Sequence, residues 1–409
     1  MKKTITRTLS LILTAGLVLG LAGCGSSQDS SASQGSSDAA EAEAGGTIMY
    51  LSAQTNGHFY DRTETYLTAI CDELGYDLNI VLGDSYNDAA NNLQAVRNAM
   101  TDDTKGLIVS MDGGLSSIME AYPDLYVVGY ATDMSSVYGE DGTQTELLDN
   151  PNFLGTIVDG YADGSKLGQL YFDHCVEKGY RRIGVISFPS YAYPNLAAAA
   201  DTFCALAAEY NETAAADDQF DIVENADGTQ VTTLQFTSVD DAYFTSHTDL
   251  DAIVGCCAGN TFIYPKLKAA ITNGTCSEQT KLVTGGFEAE EALVGDIGED
   301  GCISMLQFSP NENPAYAIVM LDNAITGNLF EDQSNERVDS VKYILQSQED
   351  VEMMMEKSFC WTGDVSLAAL PVDTVVNELC KRNNPSATYE QLIDAIHSDD
   401  LTVDALYDK

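Results

Sequence analysis

The chain has 409 residues, 44% of them hydrophobic and 9% aromatic, which is enough for two ordinary domains with buried cores and too apolar for a disordered or fibrous protein. Nineteen Lys and Arg stand against 63 Asp and Glu, a formal charge of −44. Such a field repels phosphate backbones and anionic headgroups, so nucleic-acid binding and electrostatic membrane adsorption are both disfavoured.

Residues 1–23 open with Lys2, Lys3 and Arg7 and continue in an apolar run from Leu9 to Leu21. That pattern reads as a secretory signal peptide, too short for a comfortable spanning helix. The run closes with Leu21-Ala22-Gly23-Cys24, which resembles the lipobox of bacterial lipoproteins. The resemblance implies that Cys24 is acylated and anchors the mature chain to the cell membrane on its extracytoplasmic side. The competing reading is an ordinary leader with a coincidental Cys. From Gly25 to Gly46 there is no large apolar residue, so residues 24–46 are expected to be a lipidated Cys and a flexible tether spanning about 25 Å.

Beyond the tether, short β-rich runs alternate with helical periods, the pattern of an open, largely parallel α/β sheet covered on both faces. Strands are predicted over 46–52, 78–82, 107–110 and 125–130, with helices over 59–74 and 89–100 between them. Gly75 stops the first helix. A helix over 160–177, a strand over 182–187 and an Ala-rich helix over 195–210 follow. Runs 220–224 and 231–236 flank Ala226-Asp227-Gly228, a local hairpin signal. Strands are then predicted over 251–255, 281–286, 302–308 and 341–345, with helices over 262–271 and 315–325. The tail from Asp350 is mostly helical and acidic, with apolar seams at Val375, Val376 and Leu379 and at Leu392, Ile393 and Ile396.

Without Cys24 nine cysteines remain, an odd number with irregular spacing. No disulfide framework is read there, and buried free thiols are preferred over one or two bridges. In the adjacent pair Cys256-Cys257 neighbouring side chains point to opposite faces of a strand, so one is expected in the core and the other toward a loop or cleft. There is no CxxC and the four His are scattered, so neither a metal site nor a cofactor is expected. No nucleophile elbow, phosphate loop, zinc-protease motif or dinucleotide fingerprint is present. The chain does not read as an enzyme.

Several strings occur in order along the chain: Asn56-Gly57-His58-Phe59-Tyr60 after the first strand, Gly75-Tyr76, Gly155 with Asp159, Gly285-Gly286-Phe287-Glu288 and Gln307. In order and distance they resemble the type I periplasmic binding proteins, the superfamily of ribose receptors and lactose-repressor cores, over about residues 47–345. The resemblance implies two Rossmann-like lobes with parallel sheets joined by a three-segment hinge, with extra C-terminal helices. Lobe 1 is then 47–159 plus 308–341, and lobe 2 is 160–307 plus 342–409 with the helical tail. It also implies capture of a small solute between the lobes and delivery to an ABC permease.

Ligands in such sheets sit beyond the carboxyl ends of strands. The resemblance therefore places ligand contacts at Asn56, His58, Phe59, Tyr60, Tyr130, Asp133, Tyr193, Asn260, Glu288 and Gln307. Bland readings accompany several of these. Asn56 can cap a helix with Phe59 and Tyr60 packed into it, Asp133 can be a solvated loop residue, and Asn260 can cap the helix that follows. Two arginines of the resembling receptors are missing, one near Thr132 and one where Ala197–Ala200 stand. An anionic solute is thereby disfavoured; a neutral sugar is expected, with a nucleoside or another aromatic-stackable solute as alternative. A membrane-tethered sensory receptor for the same kind of solute is the alternative output.

Overall fold

The computed structural model describes residues 45–408, apart from 54–56, 85–86, 132, 140–143 and 287–290. The segment expected to be a signal peptide, Cys24, the expected tether through residue 44, Asn56, Thr132 and Glu288 therefore lie outside the described residues. The strands are β1 (Thr47–Ser52), β2 (Asp77–Leu82), β3 (Thr104–Val109), β4 (Tyr126–Ala131), β5 (Phe153–Val158), β6 (Arg182–Ser187), β7 (Asp221–Ile222), β8 (Val231–Thr233), β9 (Ala252–Ala258), β10 (Lys281–Gly285), β11 (Ile303–Phe308), β12 (Arg337–Val338) and β13 (Tyr343–Leu345). They form two sheets, ordered β12-β5-β4-β3-β1-β2 and β13-β11-β10-β9-β6-β7, with β8 also on β6. Every pairing is parallel except β11 with β13. Continuous apolar runs such as Leu107-Ile108-Val109 suit strands buried on both faces.

The local rules that predicted the helices are visible at their ends. The His58–Leu74 helix stops at Gly75 with φ 77°, a left-handed position that glycine takes without a Cβ clash. Asp163 caps the Gly164–Lys178 helix by accepting the Ser165 N–H at 2.9 Å. Gly168 lies against the Pro194–Asn211 helix, where a Cβ would stand 2.5 Å from the Ala199 carbonyl oxygen. The Ala-rich run is thus explained by close helix packing, with Ala199 and Ala200 fully buried.

Three expectations are corrected. A fifth strand, β5, stands between β4 and the Gly164–Lys178 helix. The turn at Asn225–Thr229 forms, with the Asn225 N–H donating to the Thr229 carbonyl at 2.8 Å. Its flanks do not make a hairpin: β7 pairs with Arg182 and Ile183 of β6 and β8 with Val185 to Ser187, both parallel. Cys256 and Cys257 are both buried, one in each of two apolar clusters on opposite faces of β9. The nine described cysteines are all free.

The chain passes between the sheets after β5, after β11 and between β12 and β13. Asp159, Ser309 and Lys342, one from each passage, meet: the Asp159 carboxylate takes hydrogen bonds from the Ser309 hydroxyl and the Lys342 ammonium, and Lys342 also donates to Ser309 Oγ at 2.9 Å. Gly160, at φ 89°, has no room for a Cβ, which would stand 2.6 Å from Lys342 Cε.

The tail is not confined to the second sheet, as the 342–409 assignment had it. The Gln348–Lys357 helix does pack there through Val351 and Met354. Phe359, Leu370, Val375, Val376, Leu379, Tyr389, Leu392 and Ile396 instead join the core of Tyr66, Ile70, Tyr316 and Ile318 on the first sheet. Val403 and Leu406 then return to the second.

Candidate functional site

On the first sheet, the helix that follows β1 starts at His58, with Gly57 as an N-cap making no side-chain bond. His58 is exposed, Phe59 and Tyr60 half-buried. Asn311, in the second passage between the sheets, donates its amide to the Phe59 carbonyl at 2.9 Å and to the Thr63 hydroxyl at 2.9 Å, fixing this turn to the passage. Tyr130 is 1% exposed, packs edge-on against Tyr50 at 6.1 Å, and sits in the core with Ile108 and Tyr316. Burial pushes its phenol well up, with the Tyr50 and Asp159 charges adding to it.

Asp133 sits in a strained loop. Ala131 at φ 75° and Met134 at φ 47° flank it, conformations that cost a non-glycine residue on the order of 1 kcal/mol or more. Asp133 is buried, accepts the Ser135 N–H at 3.2 Å, and has its acidity pushed up by burial against the opposing pull of Arg337. It is therefore not the solvated loop residue of the bland reading. Beneath it Asp112 accepts from Asn87 Nδ2 at 2.7 Å and from the Ser136 N–H at 2.9 Å, holding the neighbouring loops.

On the second sheet four rings cluster beyond β6 and β8. Phe188 stacks with Tyr193 at 5.4 Å, Phe236 at 5.3 Å and Phe262 at 5.2 Å. Phe236 holds φ 55°, another strained non-glycine. Burial, and then the charge of Asp133, pushes the Tyr193 phenol up, and Asp133 and Asn195, two residues beyond Tyr193, line one groove.

Asn260 caps no helix; the turn Gly259–Phe262 has no side-chain cap. Its side chain lies against Gly286, where a Cβ would stand 2.7 Å from Asn260 Cγ. Gln307 donates Nε2 to the Tyr171 hydroxyl at 2.6 Å. Both are buried, and Asn260 Nδ2 and Gln307 Oε1 have no partner. An unmade hydrogen bond on a buried polar atom costs about 1–3 kcal/mol. Among the described residues one donor and one acceptor are thus left unpartnered.

Beside Asp133 and Tyr193 an open groove of about 880 Å³ runs along the passages between the sheets, lined among others by Asp133, Asn195, Arg337, Asp339, Tyr389 and His397. The expected residues at Phe59, Tyr60, Asn260 and Gln307 do not line it. Arg337, Phe188, Phe236 and Tyr171 escaped sequence reasoning. Phe188 follows directly on β6 and Phe236 comes three residues after β8, a signal that was present; Arg337 carried none.

Burial pushes the Cys71 thiol up to about 12 and the Cys204 thiol up to about 11, which keeps them protonated. Among the described residues no group of three His, Cys, Asp or Glu is placed to hold a metal ion, and no helix is long and apolar enough to cross a membrane.

Two parallel sheets joined by three passages, with strand-end loops facing one another, define the architecture. The fold is that of the type I periplasmic binding proteins. A periplasmic ribose ABC transporter protein from Conexibacter woesei superposes with a TM-score of 0.54 at 17% identity, covering 78% of this chain and 97% of that one. A glucose-galactose binding protein from Geobacillus stearothermophilus gives 0.54 at 13%, covering 75% and 99%. An ABC transporter solute binding protein from Agrobacterium vitis, bound with α-D-tagatopyranose, gives 0.52 at 12%, covering 75% and 95%. No family model and no curated protein matches the sequence.

Proposed function

We propose that this chain is an extracytoplasmic receptor, anchored through an acylated Cys24, that captures a small neutral sugar or sugar-like polyol between its lobes and delivers it to an ABC permease. The reading is carried by two buried polar atoms without a hydrogen-bond partner among the described residues, Asn260 Nδ2 just after β9 and Gln307 Oε1 near the carboxyl end of β11, in a type I periplasmic binding protein fold. A hydroxyl serves as acceptor to the one and donor to the other, and the ring cluster at Phe188 and Tyr193 offers an apolar face to the flat side of a sugar. His58, Phe59 and Tyr60 are the proposed contacts of the opposite lobe, with Asn56 and Glu288 completing the set. The structural neighbours named above are described as a ribose ABC transporter, a glucose-galactose binding protein and an ABC transporter solute binding protein bound with a sugar, which supports the solute class. A thermal-shift screen of the delipidated protein against pentoses, hexoses, inositols, nucleosides and amino acids tests it. A ligand at 100 times its dissociation constant adds about 2.7 kcal/mol; stabilisation by nucleosides or amino acids, with none by any sugar or polyol, overturns the solute class.

A further inference from the structure

The C-terminal tail changes core twice, and both times without slack. Phe359 is buried in the core of the first sheet, and Cys360, the next residue, is buried in the core of the second. Further on, Leu401 belongs to the first core and Val403 to the second, with Thr402 alone between them. Consecutive Cα atoms lie about 3.8 Å apart, so at each crossing the two cores are held together by a fully used length of chain. The passages between the sheets are longer. Residues 309–314 separate Phe308 of the second core from Ala315 of the first, and residues 339–342 separate Val338 of the first from Tyr343 of the second.

Each crossing is tied to one of those passages. At the first, the Asn311 N–H donates to the Cys360 sulfur at 3.3 Å, and the Cys360 thiol donates to the Glu312 carboxylate at 3.6 Å. Arg62, on the first lobe, donates to the Trp361 carbonyl at 3.2 Å. Beside the second, His397 donates Nε2 to the Asp339 carbonyl at 2.7 Å, in the passage between β12 and β13. Past it, the Val403–Tyr407 helix is clamped to the Gln348–Lys357 helix. Lys357 donates to the Leu406 carbonyl at 2.8 Å and the Tyr407 hydroxyl to the Asp350 carboxylate at 2.7 Å.

We propose that the tail is a double pin across the hinge, fixing two points common to both lobes so that they turn only about the line through those points and only by a small angle. Two rigid bodies that share two points keep a single rotation. A hinge otherwise bends wherever its connecting residues absorb a change of backbone angles. Packed cores do not stretch to follow such a change, and the pinned residues belong to the cores. The three passages must then turn in concert about that same line. The unliganded protein therefore samples a narrow range of lobe angles. This holds whichever solute is bound, because it stands on the two-lobe architecture alone.

Pulsed electron spin resonance on the unliganded mature protein tests it. One label is placed at exposed Asn98, in the Ala89–Ala99 helix of the first lobe, and the other at exposed Glu209, in the Pro194–Asn211 helix of the second. Keto side chains carry the labels, so that the nine described thiols are spared. Inserting Gly-Ser-Gly-Ser after Thr402 gives the second pin slack while Leu401, Val403 and Leu406 keep their places. The expected result is one narrow distance distribution in the parent chain, and a broader one with a longer mean in the insertion variant, whose thermal melt stays cooperative. Should the insertion variant fail to fold, a protease site at the exposed Asp399-Asp400, cut after folding, releases the same pin and gives the same broadening. A distribution already broad in the parent, or one that neither slack nor cutting changes, overturns the proposal.

Discussion

Gln307 is held at one end only: its amide nitrogen reaches Tyr171 while its carbonyl oxygen faces nothing. Removing both partners of that bond leaves no stranded polar group, whereas removing one strands the other. The double variant Gln307→Met with Tyr171→Phe is therefore expected to keep its unfolding free energy within about 1 kcal/mol while losing tenfold or more in solute affinity. Urea melts and titration calorimetry check both halves, and a drop in stability matching the drop in affinity contradicts the account. His174 makes a separate prediction. Its Nε2 bonds the Ser304 hydroxyl at 2.8 Å, its Nδ1 has no partner, and burial pushes its pKa down from 6.5 to about 4. Because the native state disfavours the charged ring, the stability it confers is complete above pH 6.5 and is lost as pH falls toward 4, on the order of 3 kcal/mol in all. The urea midpoint of the wild type should fall further between pH 7 and pH 5 than that of His174→Gln; equal falls contradict this. At this scale the sequence exposed Tyr193 and Asn260 because each comes after a readable strand, and Gln307 because it lies near the end of one. Arg337 stayed hidden because its partner loop is distant in the chain.

The elements that join the lobes are tied by a side-chain knot. Asp159 and Lys342 are 15% and 10% exposed, so removing either alone leaves a poorly solvated charge, at a cost of about 3–5 kcal/mol. Asp159→Asn and Lys342→Met should each destabilise strongly, and the double variant by clearly less than their sum. A double-mutant cycle from urea unfolding measures the coupling, and strict additivity contradicts the knot. Element positions were readable where periodicity and stop signals agree, as from His58 to Gly75. The hairpin expectation failed although its turn is real, because β7 and β8 both choose β6, and that choice is a non-local pairing. The Ala197–Ala200 run was visible as helix, but its purpose, close approach to Gly168, depends on a second helix.

For the whole molecule, the tail is part of the first lobe as much as of the second. Its seams announced burial in the sequence, yet amphipathicity says that a face is covered and not by what. Tyr66 donates to the Leu370 carbonyl at 2.7 Å, the Ala369 N–H bonds the buried Glu312 carboxylate at 3.0 Å, and Arg382 pairs with the buried Asp322. Ending the chain after Gln346 strips that cover from the first core. Such a truncation should lose its cooperative melt and bind a hydrophobic dye; an unchanged melt contradicts the shared core. The central claim is that one solute is gripped by both lobes, and hydrogen exchange with and without the stabilising sugar tests it most directly. The account predicts slowed exchange in both lobes at once, around 58–60 on one side and around 187–195, 258–260 and 307 on the other. Slowing confined to a single lobe, or to neither set of loops, would contradict it.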